Sequence, residues 1–213
     1  MTLEWRRTGG VHRLEAIPMK NALLLAVLFL SSCAALAQTS VRIRGTIAAA
    51  QGDALSLRAA DGSVQTLALP ANVAVVAARA IRLEDLKPNA YVGVAARKAA
   101  DGSLVATDIH PIGPQVPNGY VDNWDLGPGF TMTNAHLEGV VQAAGGRRIT
   151  LKYKDGEKAI LVPEGTPVVD FDAADRAALQ PGETVFAAAR KEADGRLVAQ
   201  RVFVSRNGVK PGF

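Results

Sequence analysis

Ala95-Ala96-Arg97-Lys98, followed by Asp101-Gly102 and Leu104-Val105-Ala106, returns 93 positions later as Ala188-Ala189-Arg190-Lys191, Asp194-Gly195 and Leu197-Val198-Ala199. Working outward, the match continues in nearly the same register. Leu86-Lys87-Pro88 answers Leu179-Gln180-Pro181, Asp61-Gly62 answers Asp155-Gly156, and Gly45 answers Gly139. So many agreements at an offset of 93–94 mark a duplicated unit of about 70 residues. The copies cover 41–110 and 135–203.

Each copy reads as β structure. Val41, Ile43 and Ile47 alternate with polar or small residues, the period of a half-buried strand. Leu55 and Leu57 open a second strand, and Val64–Leu69 form a third that Pro70 stops. A short helical turn is expected over Ile81–Leu86 and another over Ala173–Leu179, the latter capped by Asp170 or Asp172. Tyr91–Val94 and Leu104–Ile109 supply strands four and five. Asp-Gly pairs between runs predict hairpins of type I′. Three strands, a helix and two more strands is the order of an OB-type barrel. The expectation is therefore an all-β chain of two tandem five-stranded OB-like barrels, each with one short helix. A small open sandwich is the alternative. The mid-strand glycines Gly45 and Gly139 suit a barrel bend or bulge. The domains expected are 38–113 and 135–213, joined by a linker over 114–134.

Residues 1–37 carry an address. Ala22–Leu30 is a nine-residue apolar run with Lys20 before it and Ala35-Leu36-Ala37 after it, the three parts of a removable signal peptide. The run is too short to span a bilayer. Residues 1–18 lack this character, and Met19 is the expected true start. Leu30-Ser31-Ser32-Cys33 also has the form of a lipobox, so a lipoprotein anchored through Cys33 stands beside ordinary cleavage after Ala37. Cleavage there removes four of the 24 basic and two of the 20 acidic side chains, leaving 20 against 18 and no cysteine. Thiol chemistry and internal disulfides are then excluded. So near-neutral a chain lacks the concentrated positive field of a nucleic-acid binder. Arg42/Arg44 and Arg147-Arg148 with Lys152 and Lys154 read as solvated strand faces.

Catalytic groups are sparse. There is no G-x-S-x-G, no phosphate loop and only His110 and His136 after the signal. Glu84-Asp85 reads as a solvated pair and Asp122/Asp125 as turn or cap residues. No enzyme activity and no cofactor are expected. A metal site is the sharper alternative. His110 and His136 flank the linker, and Asp108 is also near in sequence; with Asp122, Asp125 and Met132 the two histidines make a ligand set suited to zinc or copper if the linker folds back. A third reading places a ligand against the linker aromatics Tyr120, Trp124 and Phe130, which cluster outside the repeat. Their packing on the barrels is the competing role, because a flexible linker would be polar.

Trp124-Asp125-Leu126-Gly127-Pro128, with Thr131-Met132-Thr133-Asn134-Ala135, resembles a bacterial envelope family whose members have a signal peptide and tandem small β-domains of unknown function. Many members are labelled as metal-transporter-associated. The resemblance implies a periplasmic location and this architecture, and supplies no catalytic residues. The function expected is a secreted or periplasmic, non-enzymatic binding or adaptor protein of the cell envelope, with a protein or glycan partner. An accessory metal-binding protein is the alternative.

Overall fold

The computed structural model describes residues 39–212. The expected signal segment, the start at Met19 and the lipidation site at Cys33 lie outside the described residues. Thirteen strands and two single 3-10 turns make the described chain all-β. In order they are β1 (Thr39–Gln51), β2 (Ala54–Arg58), β3 (Val64–Ala68), β4 (Ala74–Ala80), β5 (Tyr91–Lys98), β6 (Leu104–Pro111) and β7 (Gly119–Asp122). Then follow β8 (Phe130–Ala143), β9 (Gly146–Tyr153), β10 (Gly156–Val162), β11 (Val169–Ala174), β12 (Thr184–Lys191) and β13 (Leu197–Val204). The 3-10 turns are Leu83–Asp85 and Arg176–Ala178.

Two closed five-stranded barrels result. The first runs β1-β2-β3-β13-β12 and closes β12 back onto β1. The second runs β8-β9-β10-β6-β5 and closes β5 onto β8. In both, one pairing is parallel: Leu197 faces Leu67 between β13 and β3, and Ile160 faces Leu104 between β10 and β6. This is the OB-type strand order.

Each barrel takes its strands from both repeats. The three-strand meander of copy one is completed by the β12–β13 hairpin of copy two, and the meander β8–β10 by the β5–β6 hairpin of copy one. The boundaries expected from the repeat, 38–113 and 135–213, therefore delimit the sequence copies but not the barrels. The physical reason is β4 and β11. At about 3.3 Å per residue, these extended strands carry the chain away from its own meander before the turns expected over 81–86 and 173–179, which the 3-10 turns at 83–85 and 176–178 supply. The two strands pair with each other antiparallel, from Val169 opposite Ala80 to Ala174 opposite Val75.

Other expectations change with them. Asp170 and Asp172 lie in β11 and bind Arg79 at 2.7 and 3.1 Å, while Arg206 also reaches Asp172. These two guanidinium groups hold the Asp172 carboxyl below the usual carboxylate range, Arg206 having the larger effect. The cap of the second turn is Asp175, whose side chain accepts from the Ala177 N–H. At Asp61-Gly62, Asp101-Gly102 and Asp194-Gly195 only the glycine has positive φ. Each aspartate instead accepts a backbone N–H two residues on. These are type I turns followed by a left-handed glycine, not type I′. Residues 130–134 were expected in the linker but open β8, because Thr131 and Thr133 are β-branched and pair with β5.

The cores follow the alternation. Ile47, Leu55, Leu57 and Leu67 with Val185, Ala187, Val202 and Val204 fill the first barrel. Val92, Val94 and Ile109 with Leu137, Ile149, Leu151 and Ile160 fill the second. A third cluster, Ala95, Met132 and Phe186 with Phe171, Phe203, Trp124 and Leu126, joins strands of both barrels to the linker.

The repeated glycines are not equivalent. A Cβ on Gly45 would stand 2.7 Å from the Arg58 carbonyl oxygen, whereas one on Gly139 would meet nothing within 4 Å. Gly45→Ala is expected to cost about 1–3 kcal/mol by forcing the backbone apart. Gly139→Ala is expected to be neutral or to stabilise by about 0.4–1 kcal/mol through the unfolded chain. Urea midpoints of the two variants check this.

Candidate functional site

Alternation along β5 points Val92, Val94 and Ala96 into the second barrel and Tyr91, Gly93 and Ala95 out of it. Residues directly opposite share a face. Asp108 and Met132 thus flank Ala95, His110 and Asn134 flank Gly93, and His136 stands beside Tyr91. One outer face of β6-β5-β8 gathers most of the sequence's unusual side chains.

That face is covered in two places. At one, Asp108 is 1 % and His110 4 % exposed, with His110 Nδ1 2.7 Å from Asp108 Oδ1. Gly93 makes room for the ring: a Cβ there would lie 2.5 Å from Nε2. Asp108 Oδ2 is buried without a hydrogen-bond partner among the described residues, and the backbone of Gly212 lies against it. At the positions 93 residues on, the second copy has Phe186, Arg201 and Phe203, and the Phe186 and Phe203 rings meet at 5.5 Å. The same backbone frame therefore holds a polar pair in one barrel and an aromatic pair in the other.

At the second place the linker folds over β5 and β8. Tyr91 donates its hydroxyl to the Val116 carbonyl at 2.9 Å, and Asn134 Nδ2 donates to Pro117 O at 3.2 Å. The His136 ring lies 5.0 Å from that of Tyr91, and its Nδ1 donates to Asn89 O at 3.1 Å, which leaves Nε2 turned away from that bond. Between these rings and residues 114–118 is a cleft of about 340 Å³. Its size falls at the lower end of small-ligand sites. Burial raises the Tyr91 phenol above its ordinary pKa, partly offset by a hydrogen bond with Asn118. A larger, more polar hollow of about 810 Å³ lies beside the first 3-10 turn, crossed by an Arg147–Glu84 ion pair.

The residues singled out in the sequence separate. Asp122 is held by Lys98 at 2.6 Å, and that hydrogen bond lowers its pKa. Asp125 is held by Arg44 at 2.9 Å and Arg42 at 3.6 Å. Met132 is in the cluster between the barrels, His110 is paired with Asp108 and His136 lines the cleft. Among the described residues no three His, Cys, Asp or Glu side chains gather as a metal site. Tyr120 packs on the second core beneath Lys158 and 6.4 Å from the Tyr153 ring. Phe130 lies under Arg97, and Trp124 under Arg42 at 4.2 Å. These aromatics pin the linker. With Trp5 replaced by Phe, Trp124 emission is expected to be blue-shifted and poorly quenched by iodide; a red-shifted, freely quenched band would contradict this packing.

Tyr91 and residues 114–118 were not among the candidates, and Asp108 was noted only for its closeness to His110 in sequence. Asp108-x-His110 was legible as two polar groups on one strand face, since the side-chain period is two. The cleft was not legible, because it depends on where the linker lands.

The family described as Domain of unknown function (DUF5666) matches residues 44–110 and again 138–202. No curated protein and no solved structure matches.

Proposed function

The chain belongs to the DUF5666 family and carries its domain twice; on that premise we propose that it is an exported, non-enzymatic binding or adaptor protein of the cell envelope. The observation that carries the reading is the cleft over Tyr91 and His136. It is walled by a linker that has no counterpart in the repeat, so it is an addition to the duplicated frame. Its apolar floor, exposed ring and prolines suit an envelope peptide or glycan segment held by ring faces and the His136 imidazole edge. Hydrogen bonds from Tyr91 to Val116 O, from Asn134 to Pro117 O and from the Lys154 N–H to Asn118 Oδ1 hold the wall in place, which preorganises it and lowers the ordering cost of binding.

The alternative, an accessory metal-binding role at the linker, has less support. Two of its five proposed ligands already have cationic partners and a third is in an apolar cluster.

The test is capture of envelope components by the tagged full chain, with metal analysis of the same sample. The wild type is expected to retain a peptide or glycan component that His136→Ala and Val116→Asp both lose. Capture unchanged in both variants would refute the cleft. Stoichiometric metal that vanishes with His110→Ala or His136→Ala would favour the alternative.

A further inference from the structure

Barrel closure in this chain depends on a strand pair supplied from a distant part of the sequence. Eight residue pairs join β1 to β12, from Thr39 opposite Lys191 to Thr46 opposite Thr184. Seven join β5 to β8. What each meander recognises is the hairpin's pattern. The inward residues Val92, Val94 and Ala96 of one hairpin correspond to Val185, Ala187 and Ala189 of the other, and all six are at most 1 % exposed.

The crossing strands β4 and β11 meet antiparallel, with Ala78 opposite Phe171 at the centre. These two residues are themselves 93 apart, the repeat offset in this region. The half ending at β6 and the half beginning at β8 are thus related by a pseudo-two-fold axis and interlocked. Such an interface is self-complementary. The only covalent tie between the halves is residues 112–129, from the end of β6 to the start of β8. Extended, those eighteen residues reach about 60 Å.

A second copy of the chain offers each half the same strands, core groups and Arg79–Asp170 contact as its own partner half does. From this we infer that the protein exchanges halves with a second copy. The first half of one chain completes its barrels with the second half of another, and the linker is the hinge. Contacts inside the barrels are unchanged, so the balance depends on protein concentration against the effective concentration set by the linker, on the order of 1 mM for a short tether. Exchange requires both barrels to open. Dimers therefore form on refolding and persist after dilution.

Full-length chains with Cys33→Ser provide the test. One carries Thr46→Cys and the other Thr184→Cys, positions opposite each other across β1 and β12. The two are unfolded together, refolded at about 1 mM or about 1 µM, and oxidised. The expected result at the higher concentration is a dimer by light scattering that is covalently linked as a heterodimer, at least tenfold more abundant than at the lower. Chains refolded apart and then mixed should give none. A T46C/T184C double variant refolded dilute should close its disulfide within one chain. Failure of that closure would contradict the β1–β12 pairing and overturn the proposal. So would a purely monomeric sample at both concentrations, or a dimer whose thiols at 46 and 184 do not join while the double variant closes.

Discussion

A chain ending at Gly182 is expected to lose the fold of residues 43–67 while keeping that of residues 92–162 at a lower melting temperature than the intact chain's, because the truncation also removes Phe186 and Phe203 from the cluster with Met132. The truncation removes β12 and β13, and with them Val185, Val202 and Val204, all 1 % exposed or less, and Ala187, Ala189 and Ala199. Burial of the three valines alone is worth about 5–9 kcal/mol at roughly 1.5–3 kcal/mol each. That is comparable to the whole stability of an ordinary domain, about 5–15 kcal/mol. The meander β1–β3 is left with both edges unpaired, whereas every strand of the second barrel remains. Amide hydrogen exchange reads the outcome by segment. Rapid exchange over 43–67 with protection over 92–109 and 132–162 is the expected pattern. Protection over 43–67 with loss over 135–162 would mean that each repeat closes its own barrel.

The second large effect comes from single core truncations. Leu57, 1 % exposed, is in the first barrel, and Ile149, fully buried, is in the second. Each change to alanine is expected to cost about 2–5 kcal/mol and to lower Tm by roughly 5–15 °C. The account also specifies the form of the transition. Each copy contributes strands to both barrels, β4 pairs with β11, and Phe186, Phe203 and Met132 pack in one cluster. Either variant should therefore shift a single transition seen alike by calorimetry and by Trp124 fluorescence. Two transitions, of which each variant moves one, would contradict this.

The individual strands were legible because alternation and the Asp-Gly turns are local signals. Ile47, Leu55 and Leu57 had to face one side whichever hairpin they met. The partner of β1 was not legible. Val92-x-Val94-x-Ala96 and Val185-x-Ala187-x-Ala189 offer nearly the same inward surface, so pattern alone cannot choose between them. The choice is made by β4 and β11. Their Val75-Val76-Ala77-Ala78 and Val169–Ala174 runs carry only weak alternation between turn residues. On the outer face, the histidines were found by residue type but their neighbours were not. His110 and His136 lie on either side of β5 at Gly93 and Tyr91. Sequence proximity to Asp122 and Asp125 suggested metal ligands, yet arginine and lysine on β1 and β5 claim those carboxylates. Long-range ion pairs of this kind leave no local pattern in a sequence.

The binding cleft, the cooperative unfolding and the exchange with a second copy all rest on barrels completed by the opposite repeat. Nuclear Overhauser contacts across β1 test this most directly, using selective labelling of valine, isoleucine and alanine. The account predicts cross-strand contacts from Ile43 to Ala187 and from Gly45 to Val185. Contacts from Ile43 to Val94 and from Gly45 to Val92, with none to β12, would contradict it.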